Sequence, residues 1–317
     1  MDLSIICPTL NEIDYIDQVI NDLCADDGLD KEVLIVDGGS TDGTRERVAE
    51  LASTYPNLRL VDNPGRTSTA AFNIGINQNT SDFVAFVGAH ARYSSNYFTY
   101  GIQRLRTGDC DIIGGLLKQE GKSETGKAIA LAMSSRLGVG NTAFRVSQKE
   151  QQVESVAFAI YSRKAIEKAG PMDESLPVNQ DDEYHYRLHS LGLKLLMTNK
   201  TQAVYYVRGS YRSLFRQYFR YGKYKPAVLK KVNGSWRLRH IIPSLFVAYL
   251  ASLPLGLLVR PWLAPFCVYA IAITIGSFSV SKGDLKMAFR CIPAFLTLHS
   301  AYGIGFISGI LNLKPKG

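Results

Sequence analysis

The stretch EVLIVDGGSTDGTRERVAELASTY, Glu32 to Tyr55, reads as one strand, one turn and one helix. An apolar, largely β-branched run is closed by Asp37, and the glycines that follow let the backbone approach a ligand closely. A helical pattern opens after Ser40-Thr41-Asp42, where Ser40 or Asp42 can cap it. The same unit repeats on either side. LSIICP is strand-like and stops at Pro8, and beyond it Ile16, Val19, Ile20 and Leu23 recur at helical spacing. Downstream, LRLVDN is a third strand, TSTAAFNIGINQ a third helix and FVAFVG a fourth strand. Apolar strands separated by helices predict an α/β fold built on a mostly parallel, Rossmann-like sheet. Such a sheet binds ligands at the carboxyl ends of its strands. Those ends are Pro8-Thr9, Asp37-Gly38-Gly39, Asn63-Pro64-Gly65-Arg66 and Gly88-Ala89-His90. A dinucleotide site wants GxGxxG in the first strand–helix turn. Here that turn is CPTLNE and the second has glycines at other spacings, which argues against NAD.

The chain has 317 residues, a formal charge of +8 and 46% hydrophobic residues, enough for one large domain and a smaller one. The segment from Arg208 to His240 is basic and aromatic, and from Ile241 the chain is mostly apolar. Basic residues that immediately precede long apolar runs favour an anionic lipid surface over nucleic acid as partner. The uncharged runs are 241–259, 261–281 and 291–313, and a spanning helix needs about 20 residues. Three spans are therefore expected, with a re-entrant hairpin left open for the first pair by Pro243, Pro254 and the short Arg260-Pro261 link. Lys230, Lys231, Arg237 and Arg239, then Lys282, Lys286 and Arg290, face the cytosol if all three cross; Lys314 and Lys316 then violate the rule. The expected organisation is a catalytic domain over 1–230, an interfacial segment over 208–240 and a membrane domain over 241–317. Met1-Asp2 runs straight into a strand without a signal-peptide pattern, so the N-terminal domain is expected in the cytosol. Five cysteines without CxxC spacing suggest neither a disulfide frame nor a zinc site.

Two further stretches carry chemistry. PTLNE, Pro8 to Glu12, places a hydroxyl, an amide and a carboxylate at a strand end; read blandly, Asn11 caps the next helix. NQDDEYHYRLHSLG, Asn179 to Gly192, opens a helix with Asp181, Asp182 and Glu183, which the helix dipole favours and which also suits a general base.

PTLNE, DGGSTDGT, a strand-end turn near residue 88 and a QDDE–Arg helix together resemble glycosyltransferase family 2. GVGNTAFR, VESVAFAIYSR and RQYFRYGKY narrow the resemblance to its succinoglycan and exopolysaccharide branch, over roughly residues 1 to 230. The resemblance implies a GT-A fold and an inverting transferase in the cytoplasmic membrane. Such an enzyme moves a sugar from a nucleotide sugar, usually UDP-linked, to a lipid-linked glycan. It implies that Pro8, Thr9, Glu12, Asp37, Arg66 and Ala89 bind the nucleotide sugar and that Asp181 is the base. Asp182, Gln217, Arg220 and Tyr221 fall near acceptor and diphosphate, the last three resembling QxxRW with tyrosine for tryptophan. Glu183 and Arg187 organise the helix. The branch's metal motif reads Asp-Ala-His-Ala; here Gly88 replaces the aspartate, leaving His90 as the contact for a divalent cation, manganese or magnesium. Arg66, Arg92 or Arg220 could instead replace much of that cation's work. Transfer to a polyprenyl phosphate, or a non-catalytic scaffold among polysaccharide-assembly proteins, are the alternatives.

Overall fold

The computed structural model describes residues 1–25, 28–140, 142–147, 149–232 and 236–312. The chain forms two compact units: residues 1–118 with 147–205, and residues 119–146 with 206–317.

The first unit opens with β1 (Leu3–Thr9), α1 (Ile13–Cys24), β2 (Lys31–Asp37), α2 (Thr44–Ala52), β3 (Leu58–Asp62), α3 (Ser68–Asn77) and β4 (Phe83–Phe86). It continues through β5 (Ala91–Tyr93), α4 (Tyr97–Arg106) and β6 (Ile112–Glu120). After the chain's excursion into the other unit it resumes with β7 (Gln151–Gln152), β8 (Ile160–Ser162), α8 (Arg163–Ala169), α9 (Gln180–Ser190) and β9 (Leu195–Tyr206). The sheet order is β3-β2-β1-β4-β8-β6-β9-β5, with β7 on β9. The strand and helix periods read from the sequence are the ones that form, and Ile16, Val19, Ile20 and Leu23 are the buried face of α1.

The parallel character holds for β3, β2, β1 and β4. Beyond β4 the pairings β4–β8, β6–β8, β5–β9 and β7–β9 are antiparallel, so the sheet is mixed. Each parallel neighbour needs a crossover helix, which α1, α2 and α3 supply; antiparallel neighbours need none. In register, Thr9 lies opposite Asp37 and Asp37 opposite Asp62, which lines up the strand ends where a ligand is expected.

The second unit holds α5 (Glu124–Met133), α6 (Arg136–Val139), α7 (Ala143–Val146), α10 (Tyr211–Lys231), α11 (Leu238–Ala251), α12 (Ala264–Val280) and α13 (Leu285–Asn312). Its core joins Ala128, Ile129 and Ala132 of α5 to Leu214 of α10 and to Phe295 and Leu298 of α13. Helices α10 and α13 touch backbone to backbone. A Cβ on Gly222 would stand 2.2 Å from the Tyr302 carbonyl oxygen, and one on Gly305 2.1 Å from that of Phe219. Only glycine permits this approach, the device by which apolar helices pack in lipid.

Among the described residues, two helices are long and apolar enough to cross a membrane, Arg260–Val280 and Leu285–Asn312. The expected first span, 241–259, does not form. Its α-helix ends at Ala251 after 14 residues and gives way to a 3-10 turn over Leu253–Leu257. Pro254 explains the break, because it lacks an N–H and clashes with the carbonyl four residues back. At 1.5 Å per residue, α11 spans roughly 21 Å, short of the ~30 Å hydrocarbon layer. The third run begins earlier than expected, so that Lys286 and Arg290 lie inside the first turns of α13. Lys314 and Lys316 lie outside the described residues.

Candidate functional site

The turns after β1 and β2 are clasped together by side chains. Asn11, at φ 57°, donates its backbone N–H to Ser40 Oγ at 2.8 Å, while its own Oδ1 accepts from Thr41 N at 2.9 Å. Glu12 N donates to Thr44 Oγ1 at 2.9 Å and Ile13 N to Asp42 Oδ2 at 3.1 Å. Asn11 therefore does not cap α1, whose first flanking residue is Glu12, and Ser40 does not cap α2, which is entered through Gly43 at φ 94°. Asp42 does contribute, since its Oδ1 accepts from Thr44 N at 3.1 Å. The expected cap residues are used to join two loops that lie about thirty positions apart in the chain.

Asp37 lies at the centre of this clasp with its side chain fully buried. Its Oδ1 accepts from Gly39 N and Ser40 N at 2.9 Å each and from Arg45 Nη1 at 3.0 Å; its Oδ2 accepts from the Ser40 hydroxyl. Burial pushes the carboxyl pKa up, but the bonds from Ser40, Arg45 and Gly39 together outweigh it and hold Asp37 below the usual carboxylate range. Asp37 thus keeps its charge more readily than an ordinary carboxyl and shapes the Gly38-Gly39-Ser40 backbone. Arg45 also reaches Asp62 at 2.7 Å.

The other residues singled out at this edge are placed as follows. Pro8 is half-buried, and Thr9 is buried with its hydroxyl donating to the Cys7 carbonyl at 3.2 Å. Arg66 is exposed, at φ 54°, in the turn between β3 and α3; its Cα would stand 3.4 Å from a Cβ on Gly38, so the two loops abut. Ala89 is only 3% exposed, which leaves its main chain as the group it can offer. His90 Nδ1 stands 2.8 Å from Glu12 Oε1, bringing together the β1 and β4 strand ends. The rings of Tyr15 and Tyr205 lie 5.8 and 6.0 Å from the His90 ring.

A carboxylate on one ring nitrogen is the arrangement that orients a histidine to ligate a metal through the other. Among the described residues no group of three or more His, Cys, Asp and Glu side chains could hold an ion. His90 therefore fits a divalent cation shared with a ligand's oxygens and water, not one held by protein alone.

Position 88 has its own environment. The Gly88 N–H donates to Tyr93 Oη at 2.8 Å and its carbonyl accepts from the same hydroxyl at 3.2 Å. Burial pushes the Tyr93 phenol far above its ordinary pKa, so it remains a donor. Phe158 faces this turn with φ 49°, a conformation that costs a bulky residue about 1–3 kcal/mol and tends to mark functional sites. VESVAFAIYSR, which contains Phe158, entered the resemblance, but nothing in the sequence sets that ring against Gly88, seventy positions away.

Helix α9 sets its three acidic residues at different depths. Asp181 is exposed, Asp182 half-buried, and Glu183 buried. Gln180 Nε2 donates to Ser68 Oγ at 2.8 Å, tying the start of α9 to α3. Glu183 takes Arg187 Nε and Nη2 at 2.9 and 3.1 Å, and Arg187 also donates to the carbonyls of Ala169 and Pro171. Beneath them runs a polar chain. Tyr161 Oη lies 2.7 Å from His185 Nε2, Ser155 Oγ lies 3.1 Å from His185 Nδ1, and the Ser155 hydroxyl reaches Asp182 Oδ1 at 3.4 Å. The direction that satisfies every group has Tyr161 donating to Nε2, Nδ1–H donating to Ser155, and Ser155 donating to Asp182.

Burial lowers the His185 pKa from 6.5 to about 4, against a smaller upward pull from Asp182. In the unfolded chain the ring protonates as pH falls through 6.5, while the folded protein keeps it neutral down to about 4. Its contribution to stability is complete above the unfolded value and is lost as pH falls across that window, by roughly 3 kcal/mol. His185→Gln should flatten the pH 4–6.5 limb of a thermal-unfolding profile; an unchanged limb would show that the ring is hydrated.

Gln217, Arg220 and Tyr221 lie on α10, in the second unit. Gln217 Nε2 donates to Tyr221 Oη at 3.0 Å, while Arg220 is exposed. Arg212, Arg216 and Arg220 recur every fourth residue on an exposed face beside Phe215 and Phe219, whose rings stack at 6.2 Å. This is the pattern of a helix lying at a membrane surface.

Comparison with known proteins matches residues 4–170 to the family model described as glycosyl transferase family 2. The chain is 30% identical to the succinoglycan biosynthesis protein ExoA of Rhizobium meliloti, over 98% of this chain and 96% of that one. It is 26% identical, over 98% and 97%, to the dolichyl N-acetyl-alpha-D-glucosaminyl phosphate 3-beta-D-2,3-diacetamido-2,3-dideoxy-beta-D-glucuronosyltransferase of Methanococcus voltae. Among solved structures, the mannosyltransferase PcManGT of Pyrobaculum calidifontis, in complex with GDP-Man and Mn2+, superposes with a TM-score of 0.63. That match is at 17% identity and covers 98% of this chain and 88% of that one. It shows a shared GT-A fold.

Proposed function

Because this chain belongs to glycosyltransferase family 2, we propose that it moves a sugar, with inversion, from a UDP-linked donor onto a lipid-linked glycan in exopolysaccharide or surface-polysaccharide synthesis. The observation that carries this reading is the strand-end edge, where the clasped loops, Arg66 and the Glu12–His90 pair converge on the side where such sheets bind nucleotides. The names of the bacterial and archaeal relatives support the pathway and the acceptor: one is a succinoglycan biosynthesis protein, the other glycosylates a sugar already carried on a dolichyl phosphate.

In this reading Pro8, Thr9 and the backbone shaped by Asp37 seat the nucleoside, Arg66 faces the diphosphate and the Ala89 main chain borders the sugar. Asp181 takes the proton from an acceptor hydroxyl. The oxygen attacks the anomeric carbon on the face opposite the diphosphate, whose bond to that carbon breaks with its electron pair leaving on the phosphate oxygen. One carboxylate suffices because inversion needs a base and no covalent intermediate. Asp182, braced by Ser155, lies beside the base and borders the acceptor; for Gln217, Arg220 and Tyr221, in the second unit, a role towards acceptor and diphosphate rests on the resemblance alone. A bound manganese or magnesium ion would stabilise charge on the leaving diphosphate, with His90 as its protein ligand and Glu12 orienting the ring. The basic, aromatic face of α10 and the apolar helices Arg260–Val280 and Leu285–Asn312 support a membrane-bound enzyme, in this reading with its catalytic domain on the cytosolic side of the cytoplasmic membrane.

The test is calorimetry of detergent-purified protein with UDP, with GDP as control, each with and without manganese. UDP binding strengthened by manganese is expected. His90→Ala should lower the manganese-dependent part by roughly 10-fold or more. Manganese-independent binding in the unmodified protein would move the diphosphate onto the arginines, and binding of neither nucleotide would remove the transferase reading.

A further inference from the structure

Asp181 stands in the first turn of α9, and that turn is not held in the usual way. Asn179, in front of it, has φ 61°, and its side chain makes no capping bond to the helix. The first N–H groups of a helix have no partners within it, so an uncapped first turn is loosely held. Here the fastening comes from the residue directly before Asp181. Gln180 Nε2 donates to Ser68 Oγ at 2.8 Å, and both side chains are half-buried. Ser68 opens α3, two positions after Arg66. The turn between them is closed on itself. Arg66 N donates to the Asn63 carbonyl at 3.1 Å, Asn63 Nδ2 donates to the Thr67 carbonyl at 2.9 Å, and the Thr67 hydroxyl accepts from Ala70 N at 3.1 Å. Helix α3 is seated closely on the sheet, where Phe72 stacks on Phe86 of β4 at 4.3 Å. It also grips the segment leading into α9 a second time. Asn73 pairs its amide with the main chain of Met172, Nδ2 donating to the carbonyl at 3.0 Å and Oδ1 accepting from N at 2.9 Å. Residues 172–180 are thus fastened to α3 at both ends.

Resting on the donor and base assignments above, we propose that Gln180 is a positioning residue for the base. Through Ser68 it ties Asp181 to the turn that carries Arg66, so that a nucleotide diphosphate seated on that turn also steadies the first turn of α9. The path is short: Arg66 to Ser68 along the main chain, one hydrogen bond, then Gln180 to Asp181 along the main chain. Its value to the reaction is orientation, since displacing a reacting group by about 1 Å can cost roughly 10²-fold in rate. Gln180 acts through Asp181 and touches neither substrate. Its amide supplies the donor that Ser68 Oγ accepts, which an apolar side chain of similar length cannot do.

The test is hydrogen–deuterium exchange on the full chain in detergent, following peptides over 63–71 and 172–186 without ligand, with UDP and with GDP. In unmodified protein the bound nucleotide should slow exchange in both segments. Gln180→Leu and Ser68→Ala should each keep the protection over 63–71 and lose it over 172–186. Gln180→Glu should retain both, because the Ser68 hydroxyl can donate to a carboxylate. A glutamine with a merely structural role would leave the response to nucleotide unchanged. Protection over 172–186 that survives in Gln180→Leu, or that is missing from unmodified protein while 63–71 is protected, would overturn the proposal. Without ligand, each single variant should exchange roughly 5-fold faster over 172–186, the scale of one hydrogen bond, and the double variant no faster than either. Additive effects would show that the two side chains act separately and would likewise overturn it. No response to either nucleotide over 63–71 would defeat the donor reading instead, and the ligand-free cycle would still decide whether Gln180 and Ser68 hold the base's helix together.

Discussion

Asp181→Asn should lower the rate of sugar transfer by roughly 10²–10⁴-fold, the usual contribution of a positioned general base. Asp181 is exposed in the first turn of α9, and in the proposed mechanism it touches only the acceptor proton. The amide is isosteric and cannot accept that proton, so UDP affinity should stay within about 2-fold of the unmodified protein. Single-turnover transfer to a lipid-linked acceptor, measured with UDP calorimetry on the same sample, separates the two quantities. Near-normal transfer would move the base to a neighbour, with Asp182 the first to examine because Ser155 already orients its Oδ1. Loss of UDP binding together with transfer would show instead that Asp181 supports the donor site. The variant should fold normally, because the exposed position places little demand on packing.

Arg187→Met is expected to have the largest effect on stability, about 3–5 kcal/mol, the cost of stripping one partner from a buried ion pair. Glu183 has 6% of its side chain exposed and takes both a guanidinium Nε and an Nη of Arg187. The same guanidinium closes the carbonyls of Ala169 and Pro171, at the end of α8 and just beyond it. Removing it leaves one buried carboxylate and two carbonyls without their donor. For a protein of this size the loss corresponds to roughly 10 °C in melting temperature. Glu183→Gln/Arg187→Met should recover part of it, because the stranded charge is gone. A drop worth under about 1 kcal/mol would mean that water reaches the pair and that it behaves as a surface salt bridge.

The residues these predictions use were legible to different degrees. The Glu183–Arg187 pair stands at i and i+4 in a helix that the sequence announces, and neighbours on one helix need no knowledge of the rest of the fold. The four parallel strands were legible for the same reason: an apolar run followed by a helical period is a local signal. Helix capping was misread at Asn11 and Ser40 because a short polar side chain before a helix has two uses. It can satisfy its own helix or bridge to another loop, and only the sheet register, which lays Thr9 beside Asp37, decides between them. The first expected membrane span failed at Pro254, a residue visible in the sequence whose steric effect outweighed the hydropathy of the run.

What the sequence determined by itself was whatever depends on neighbours within about ten residues: the order of strands and helices, the acidic opening of α9, the apolar character of the C-terminal third. What tertiary structure alone decided was whatever depends on two distant stretches competing for one volume or one hydrogen bond. The arrest of Asp37 by Ser40 and Arg45 belongs to the first kind in spacing and to the second in burial. The antiparallel far half of the sheet, the backbone contact at Gly222 and Gly305, and the ring of Phe158 set against Gly88 belong wholly to the second. The reason is steric: periodicity says which side chains point together, but excluded volume between segments many residues apart acts only after the chain has closed.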